Sequence, residues 1–250
     1  MSIKKDKEIE NICLNNGISE STLMTKLDLI QKLEMCHFNL LKIPLSISIF
    51  TNLKSLIILS QDLCEIQENS LCNLHNLEKL WICETKLQQI SGLPSNLIEL
   101  YAFSNQLKEI TGLSHLVKLQ VLWLNDNHIR KLSGLQDLKE LKELHVANNQ
   151  LDSIGHCLNH SKELKDLNMS GNNFSSFREI LHLTRLEKLE NLSLSDSNFA
   201  DNPICSLCNY QTHVVYHLPS LKSLDTLEVC DDSRKMIAAT VLKKRMYLKF

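Results

Sequence analysis

The chain has 250 residues, 43% of them hydrophobic and 22% charged, with a formal net charge of −2 at neutral pH. That composition excludes a disordered polar segment, and the balance of charge excludes a global basic field that would draw the chain onto nucleic acid or anionic lipid. No uninterrupted apolar run approaches the roughly 18 residues needed to cross a bilayer.

The opening "MSIKKDKEIE" is charged and lacks the apolar core of a secretory signal, so export is not expected. Nine cysteines, an odd number scattered along the chain, fit a reducing compartment with packed thiols. Residues 1–28 are expected to form a helical cap. Ile9, Ile12 and Cys13 recur at helical spacing, and Asn16-Gly17 supplies a helix stop.

Eight segments follow, beginning at residues 30, 53, 77, 97, 119, 141, 164 and 189, all on the pattern L-x-x-L-x-L-x-x-N-x-L. "LQVLWLNDNHI" (119–129) and "LKELHVANNQL" (141–151) show it most cleanly. Their ninth positions are Phe38, Gln61, Thr85, Asn105, Asn127, Asn149, Asn172 and Ser197, which gives a period of 20 to 25 residues. Within L-x-L the leucines point one way and the intervening residue the other, the alternation of a strand with one buried face. The asparagine turns the chain, and its amide can satisfy backbone groups of the neighbouring coil. Signature and period resemble the leucine-rich-repeat family. The resemblance implies an α/β solenoid: a right-handed horseshoe with a parallel concave sheet, short 3₁₀ or helical convex segments, and helical caps.

Between strands, Gly92, Gly112 and Gly134 each fall seven residues after the ninth position. Such short returns suit 3₁₀ turns. The I-x-G-L phrasing resembles the 22-residue repeat subclass, whose best-known member regulates protein phosphatase 1. The longer returns "SLCNLHN" and "REILHLTRLEK" are expected to form helices.

The repeats are assigned to residues 29–200, a C-terminal cap to 201–229 and a tail helix to 230–250. A solenoid exposes apolar core at its ends unless capped. "NPICSLCNYQTHVVYHLPSLKSLDTLEV" resembles the cap that follows many intracellular leucine-rich-repeat arrays, with Tyr210, Val214 and Leu218 on one helix face. Within it, Cys205, Cys208, His213 and His217 have the look of a zinc site. On one continuous helix from about 205 to 217 the two pairs are separated by roughly 8–12 Å of rise, too far for one ion. No metal is therefore expected. The same stretch, together with "LEKLWICE", "SIGHCL" and "KKRMYLKF", resembles the family of leucine-rich repeat-containing protein 9, in which such a block opens a longer protein. That resemblance implies an intracellular interaction scaffold of ciliated cells.

Binding is expected on the concave face. Ile57, Leu59, Trp81, Tyr101, Phe103 and Trp123 form an apolar and aromatic stripe that passes into Asn125, His145 and Asn168. Lys79, Glu99, Glu143 and Asp166 flank it. Trp and Tyr are favoured interface anchors, and a contiguous apolar patch marks a partner site. The competing reading is that the rings merely pack on one another. "GHCLNH" (155–160) is read as a surface loop rather than a ligand cluster, and Lys243, Lys244 and Arg245 as a solvated helix face.

The expected function is thus a non-catalytic scaffold, cytoplasmic and ciliary or axonemal, that binds a protein partner. No catalytic residue, cofactor, small-molecule substrate or membrane contact is expected, and nucleic acid is disfavoured. Two alternatives remain: a regulatory subunit of a protein phosphatase, and a ribonucleoprotein assembly factor, since a spliceosomal leucine-rich-repeat protein has the same cap.

Overall fold

The computed structural model of the chain describes residues 7–19, 22, 25–38, 40–67 and 69–247. Each L-x-L core is a strand: β1 (Lys32–Cys36), β2 (Ser55–Leu59), β3 (Lys79–Cys83), β4 (Glu99–Tyr101), β5 (Val121–Trp123), β6 (Glu143–His145), β7 (Asp166–Asn168) and β8 (Asn191–Ser193). The cap adds β9 (Ser223–Leu224) and β10 (Leu227–Glu228). They form one open ten-stranded sheet in chain order, parallel from β1 to β9, with β10 antiparallel to β9. Register is strict. Leu80, Leu100, Leu122, Leu144, Leu167, Leu192 and Leu224 lie opposite one another on successive strands. All seven point into one continuous apolar core, each at most 1% exposed.

The ninth-position residues run through the sheet's edge as a second ladder. The Asn127 amide donates to the carbonyls of Ala102 (3.0 Å) and Leu124 (3.0 Å), and its oxygen accepts the Leu107 N–H (3.0 Å). Asn149 repeats this one coil on, with Leu124, Val146 and Ile129, and Asn172 repeats it with Val146, Met169 and Leu151. Gln61 does the same work for the second coil, donating to Met35 and Leu59 and accepting from Leu40. In the eighth repeat the expected Ser197 is displaced. Five residues are inserted after the strand, and Asn202 takes the ladder position, donating to Met169 (2.9 Å) and Leu194 (2.8 Å) and accepting from Phe174 (3.1 Å).

In the first seven repeats the residue before the ladder position turns left-handed. His37, Ser60, Glu84, Ser104, Asp126 and Asn148 all have φ between 51° and 58°, and Gly171 has 64°. On the convex side the middle repeats make single 3₁₀ turns, for example Leu116 N–H to Leu113 (2.9 Å) and Leu119 N–H to Leu116 (3.0 Å). Gly112, at φ +73°, is required there because a Cβ would overlap the Ile90 carbonyl oxygen. Of the two longer returns only one is helical. Residues 70–76 bury Leu71 and Leu74, three apart, and turns suffice. The seventh return buries Ile180, Leu183 and Leu186, and that longer run folds as α2 (Arg178–His182) with a 3₁₀ turn behind it.

At the N-terminal end α1 (Lys7–Asn15) buries Ile9, Ile12 and Cys13 on the first coil. It stops at Gly17 (φ +67°), where Ile18 N–H reaches the Cys13 carbonyl at 2.8 Å. Asn16 then imitates a strand: it accepts the Glu34 N–H (2.8 Å) and donates to the Glu34 carbonyl (2.7 Å), closing the outer edge of β1. At the other end the expected continuous helix is broken. Pro203–Ser206 is a 3₁₀ turn, Leu207 is extended, Asn209 is left-handed (φ +64°), and α3 begins only at Tyr210, running Tyr210–His217. Tyr210, Val214 and Leu218 are buried on its inner face. Asp225 accepts the Leu194 N–H (2.8 Å), the Ser195 N–H (2.9 Å) and the Tyr210 hydroxyl (3.0 Å), fastening the cap to β8. The tail is α4 (Asp231–Tyr247), held where Arg234 donates to the Pro219 carbonyl at 2.7 Å and to the Leu221 carbonyl. Lys243, Lys244, Arg245 and Leu242 lie outside the residues whose side chains are described. Among the described residues no helix is long and apolar enough to cross a membrane.

Candidate functional site

The strand alternation that buries the leucines turns the residue between them to the concave face. Register then stacks those residues: Ile57, Trp81 and Tyr101 are aligned, and so are Tyr101, Trp123, His145 and Asn168. The result is a ladder of rings. Trp81 and Tyr101 stack with centroids 4.6 Å apart and planes 6° apart. Tyr101 meets Trp123 edge to face at 5.1 Å, and Trp123 stacks on His145 at 4.7 Å. All four rings remain partly exposed. Such stacking holds each ring in place without hiding it, at about 0.5–1.5 kcal/mol per pair.

Three of the four rings are tethered by the carboxylate row beside them. The Tyr101 hydroxyl donates to Glu99 (3.1 Å), the Trp123 indole N–H donates to Glu143 (2.7 Å), and His145 Nε2 lies 3.1 Å from Asp166 and 3.4 Å from Glu143. Glu99 also pairs with Lys79 at 2.7 Å. Burial, reinforced by the Glu99 charge, pushes the Tyr101 phenol well above its ordinary range. Burial raises the Asp166 carboxyl, but hydrogen bonds from His145 and Asn191 outweigh it and hold the group below the usual value. Glu99 and Glu143 each lie two residues before a ring of their own strand, and the Trp123–Glu143 and His145–Asp166 tethers cross to the next strand.

A second row, two residues after the ring positions, holds Leu59, Cys83, Phe103 and Asn125. Both it and the Asn168 end of the ring row are less open than the sequence suggests. Leu59 and Phe103 are partly exposed, whereas Asn125 and Asn168 are only 7% and 8% exposed. Asn125 accepts the Ala147 N–H (2.8 Å), and Asn168 accepts from the Ser170 N–H (3.0 Å) and hydroxyl (2.8 Å). Both therefore turn toward the sheet edge and offer a partner little. Cys83 in the same row is fully buried beneath the Tyr101 carbonyl (3.3 Å), and burial pushes its thiol up to about 12.

The Cys/His stretch of the cap is dispersed. Cys205 sits in the 3₁₀ turn with its sulfur toward the Leu194 carbonyl (3.4 Å), and Cys208 is exposed in the following turn. His213 stacks between Phe177 and His217, each centroid at 4.2 Å, and burial depresses its pKa. Among the described residues no three Cys, His, Asp or Glu side chains converge as metal ligands. "GHCLNH" is not a loose loop: Cys157–His160 is a 3₁₀ turn that buries Cys157 and Leu158.

A family model described as leucine-rich repeat matches residues 114–246. U2 small nuclear ribonucleoprotein A′ of Mycosarcoma maydis is 33% identical over 112 residues, covering 44% of this chain and 44% of that protein. The protein phosphatase 1 regulatory inhibitor subunit PPP1R7 homolog of Arabidopsis thaliana is 33% identical over 73 residues, 29% of this chain and 22% of that protein. Dynein axonemal assembly factor 11 of Trypanosoma brucei brucei is 32% identical over 145 residues, 57% of this chain and 36% of that protein. The chain thus spans less than half the length of each. Among solved structures, internalin C2 of Listeria monocytogenes superposes with a TM-score of 0.61 at 26% identity, over 79% of this chain and 87% of that one. Repeat signature, parallel sheet, Asn ladder and a family match over more than half of its length agree: the chain belongs to the leucine-rich-repeat family.

Proposed function

We propose that the protein is a non-catalytic scaffold that captures a protein partner on its concave face. The observation that carries this reading is the ring ladder from Trp81 to His145, which stays partly exposed although the core beneath is complete without it. Aromatic anchors held in fixed geometry are what interfaces use. Ile57, Leu59 and Phe103 extend the apolar surface beside it. The narrower reading is an opening block of a longer protein like leucine-rich repeat-containing protein 9, in the cytoplasm of ciliated cells. The likeness to a dynein axonemal assembly factor supports that setting. A phosphatase regulatory role has the PPP1R7-type relative in its favour, and a ribonucleoprotein role the U2 A′ relatives.

The test is affinity capture from an extract of ciliated cells by the chain and by its Trp81→Ala/Trp123→Ala variant. The variant is expected to lose the partner while keeping its far-ultraviolet circular dichroism and cooperative melt. A folded variant that retains every captured protein ends this reading. Axonemal proteins among those lost favour it, whereas a phosphatase catalytic subunit or RNA-binding proteins select the corresponding alternative.

A further inference from the structure

Along the solenoid five carboxylates have a lysine partner: Glu34 with Lys32, Asp62 with Lys86, Glu99 with Lys79, Glu163 with Lys188 and Glu190 with Lys222. Glu143 and Asp166 do not. Among the described residues the only ion-pair partner of either is His145, a cation only when protonated. The two sit opposite each other on β6 and β7, and their side chains keep 31% and 37% of their accessible surface. Asp166 has both oxygens engaged, by His145 and by Asn191, and Glu143 accepts from Trp123 through Oε1. Two negative charges thus stand beside the rings of Trp123 and His145. The other end of the ladder, from Ile57 to Tyr101, is apolar apart from the neutralised Lys79–Glu99 pair.

We infer that the occupant of the concave face is a protein segment bearing an arginine, whose stem lies on Trp123 and His145 and whose guanidinium pairs with Glu143 and Asp166. Its apolar side chains cover Ile57, Trp81 and Phe103. This rests on the concave-face reading above. The geometry suits it. The Glu143 backbone is two residues, about 6.6–7 Å, from that of His145. Glu143 reaches the Trp123 ring nitrogen at 2.7 Å and Asp166 that of His145 at 3.1 Å, so one long side chain can lie on a ring and reach an acid. A guanidinium carries five donors in a planar fork and can serve two carboxylates on adjacent strands, which a lysine ammonium does less well. From Ile57 to His145 is four strand spacings, about 19 Å, so the segment is apolar at one end and basic at the other. Nucleic acid is disfavoured here, because its phosphates would face the same unneutralised acids.

The chain has two tryptophans, Trp81 and Trp123, both on this face, so intrinsic fluorescence reports it alone. The probe is N-acetyl tetraarginine amide, with the tetraglutamate amide as comparator. Tetraarginine is expected to change the emission saturably, with affinity falling about tenfold or more between low and high salt. In Glu143→Gln/Asp166→Asn, which keeps the shape and the Trp123 acceptor, affinity is expected to fall about tenfold. An equal response to tetraglutamate, no response to tetraarginine, or an unweakened variant overturns the inference. If the variant misfolds, the salt and tetraglutamate measurements on the unaltered chain decide. Partner capture that is lost in Trp81→Ala/Trp123→Ala but intact in Glu143→Gln/Asp166→Asn discards the cation and leaves the concave face standing.

Discussion

Two ladders run through the same strands of this molecule, one of asparagines along the sheet's edge and one of rings across its concave face. They share a period and a register but not a burial. Asn105, Asn127, Asn149 and Asn172 are 4–7% exposed, and each binds backbone groups of its own coil and of neighbouring coils. The rings stack on one another and bond a row of carboxylates, and water reaches them. The difference teaches which repeated residues build the solenoid and which it merely displays. A buried amide that serves three backbone groups cannot be replaced without losing those bonds and stranding the N–H its oxygen accepts. A partly exposed ring can be removed and water takes its place.

Truncation at one position of each ladder measures that difference. Asn149→Ala strands the Ile129 N–H in a dry core and leaves the Leu124 and Val146 carbonyls with one amide donor each, from Asn127 and Asn172. It is expected to cost about 3–5 kcal/mol in urea unfolding, or to divide the array into two transitions, because coils are coupled mainly to their neighbours. Trp123→Ala loses stacking on His145 and the edge contact with Tyr101, and leaves Glu143 to water. It is expected to cost about 1–2 kcal/mol with an unchanged m-value. Equal costs would break the distinction, since the rings would then be core.

The asparagine ladder and its leucine core were readable in the sequence because each obeys one local rule repeated at fixed spacing. Where the spacing slips, reading fails. Five extra residues hide the place of Asn202, and Ser197 stands in the expected slot. Asn209 adopts a left-handed turn that the helical spacing of Cys205 and His213 does not reveal. The ring ladder was legible as a row of residue types. Its tethers were not, because Trp123 finds Glu143 on the next strand, 20 residues away. The second row misleads for a local reason. A left-handed residue follows each position of that row and ends the strand there, so the alternation no longer sets exposure: Asn125, Cys83 and Ser170 are buried, whereas Leu59 and Phe103 are partly exposed.

The smallest expected effect lies where the asparagine ladder ends. Beyond Asn202 the polar work passes to Asp225, a carboxylate that holds two backbone N–H groups and the Tyr210 hydroxyl. Burial raises its pKa above the ordinary value of 3.8, more than those three donors lower it. The folded chain therefore holds the Asp225 proton more tightly than the unfolded chain does. Its contribution to stability is fully present below about pH 3.8 and is lost as pH rises through the raised folded value. Asp166 carries the opposite sign: its lowered pKa favours the fold above 3.8 and loses that contribution in acid. A single melting profile mixes the two. Asp225→Asn separates them, because an amide oxygen still accepts from Leu194 and Ser195 and does not titrate. The melting temperature of the variant minus that of the parent is expected to rise as pH increases from 3.8 and then level off. A difference that falls over that range would mean that the donors outweigh burial, and that Asp225 closes the ladder as an ionised cap rather than a reluctant one.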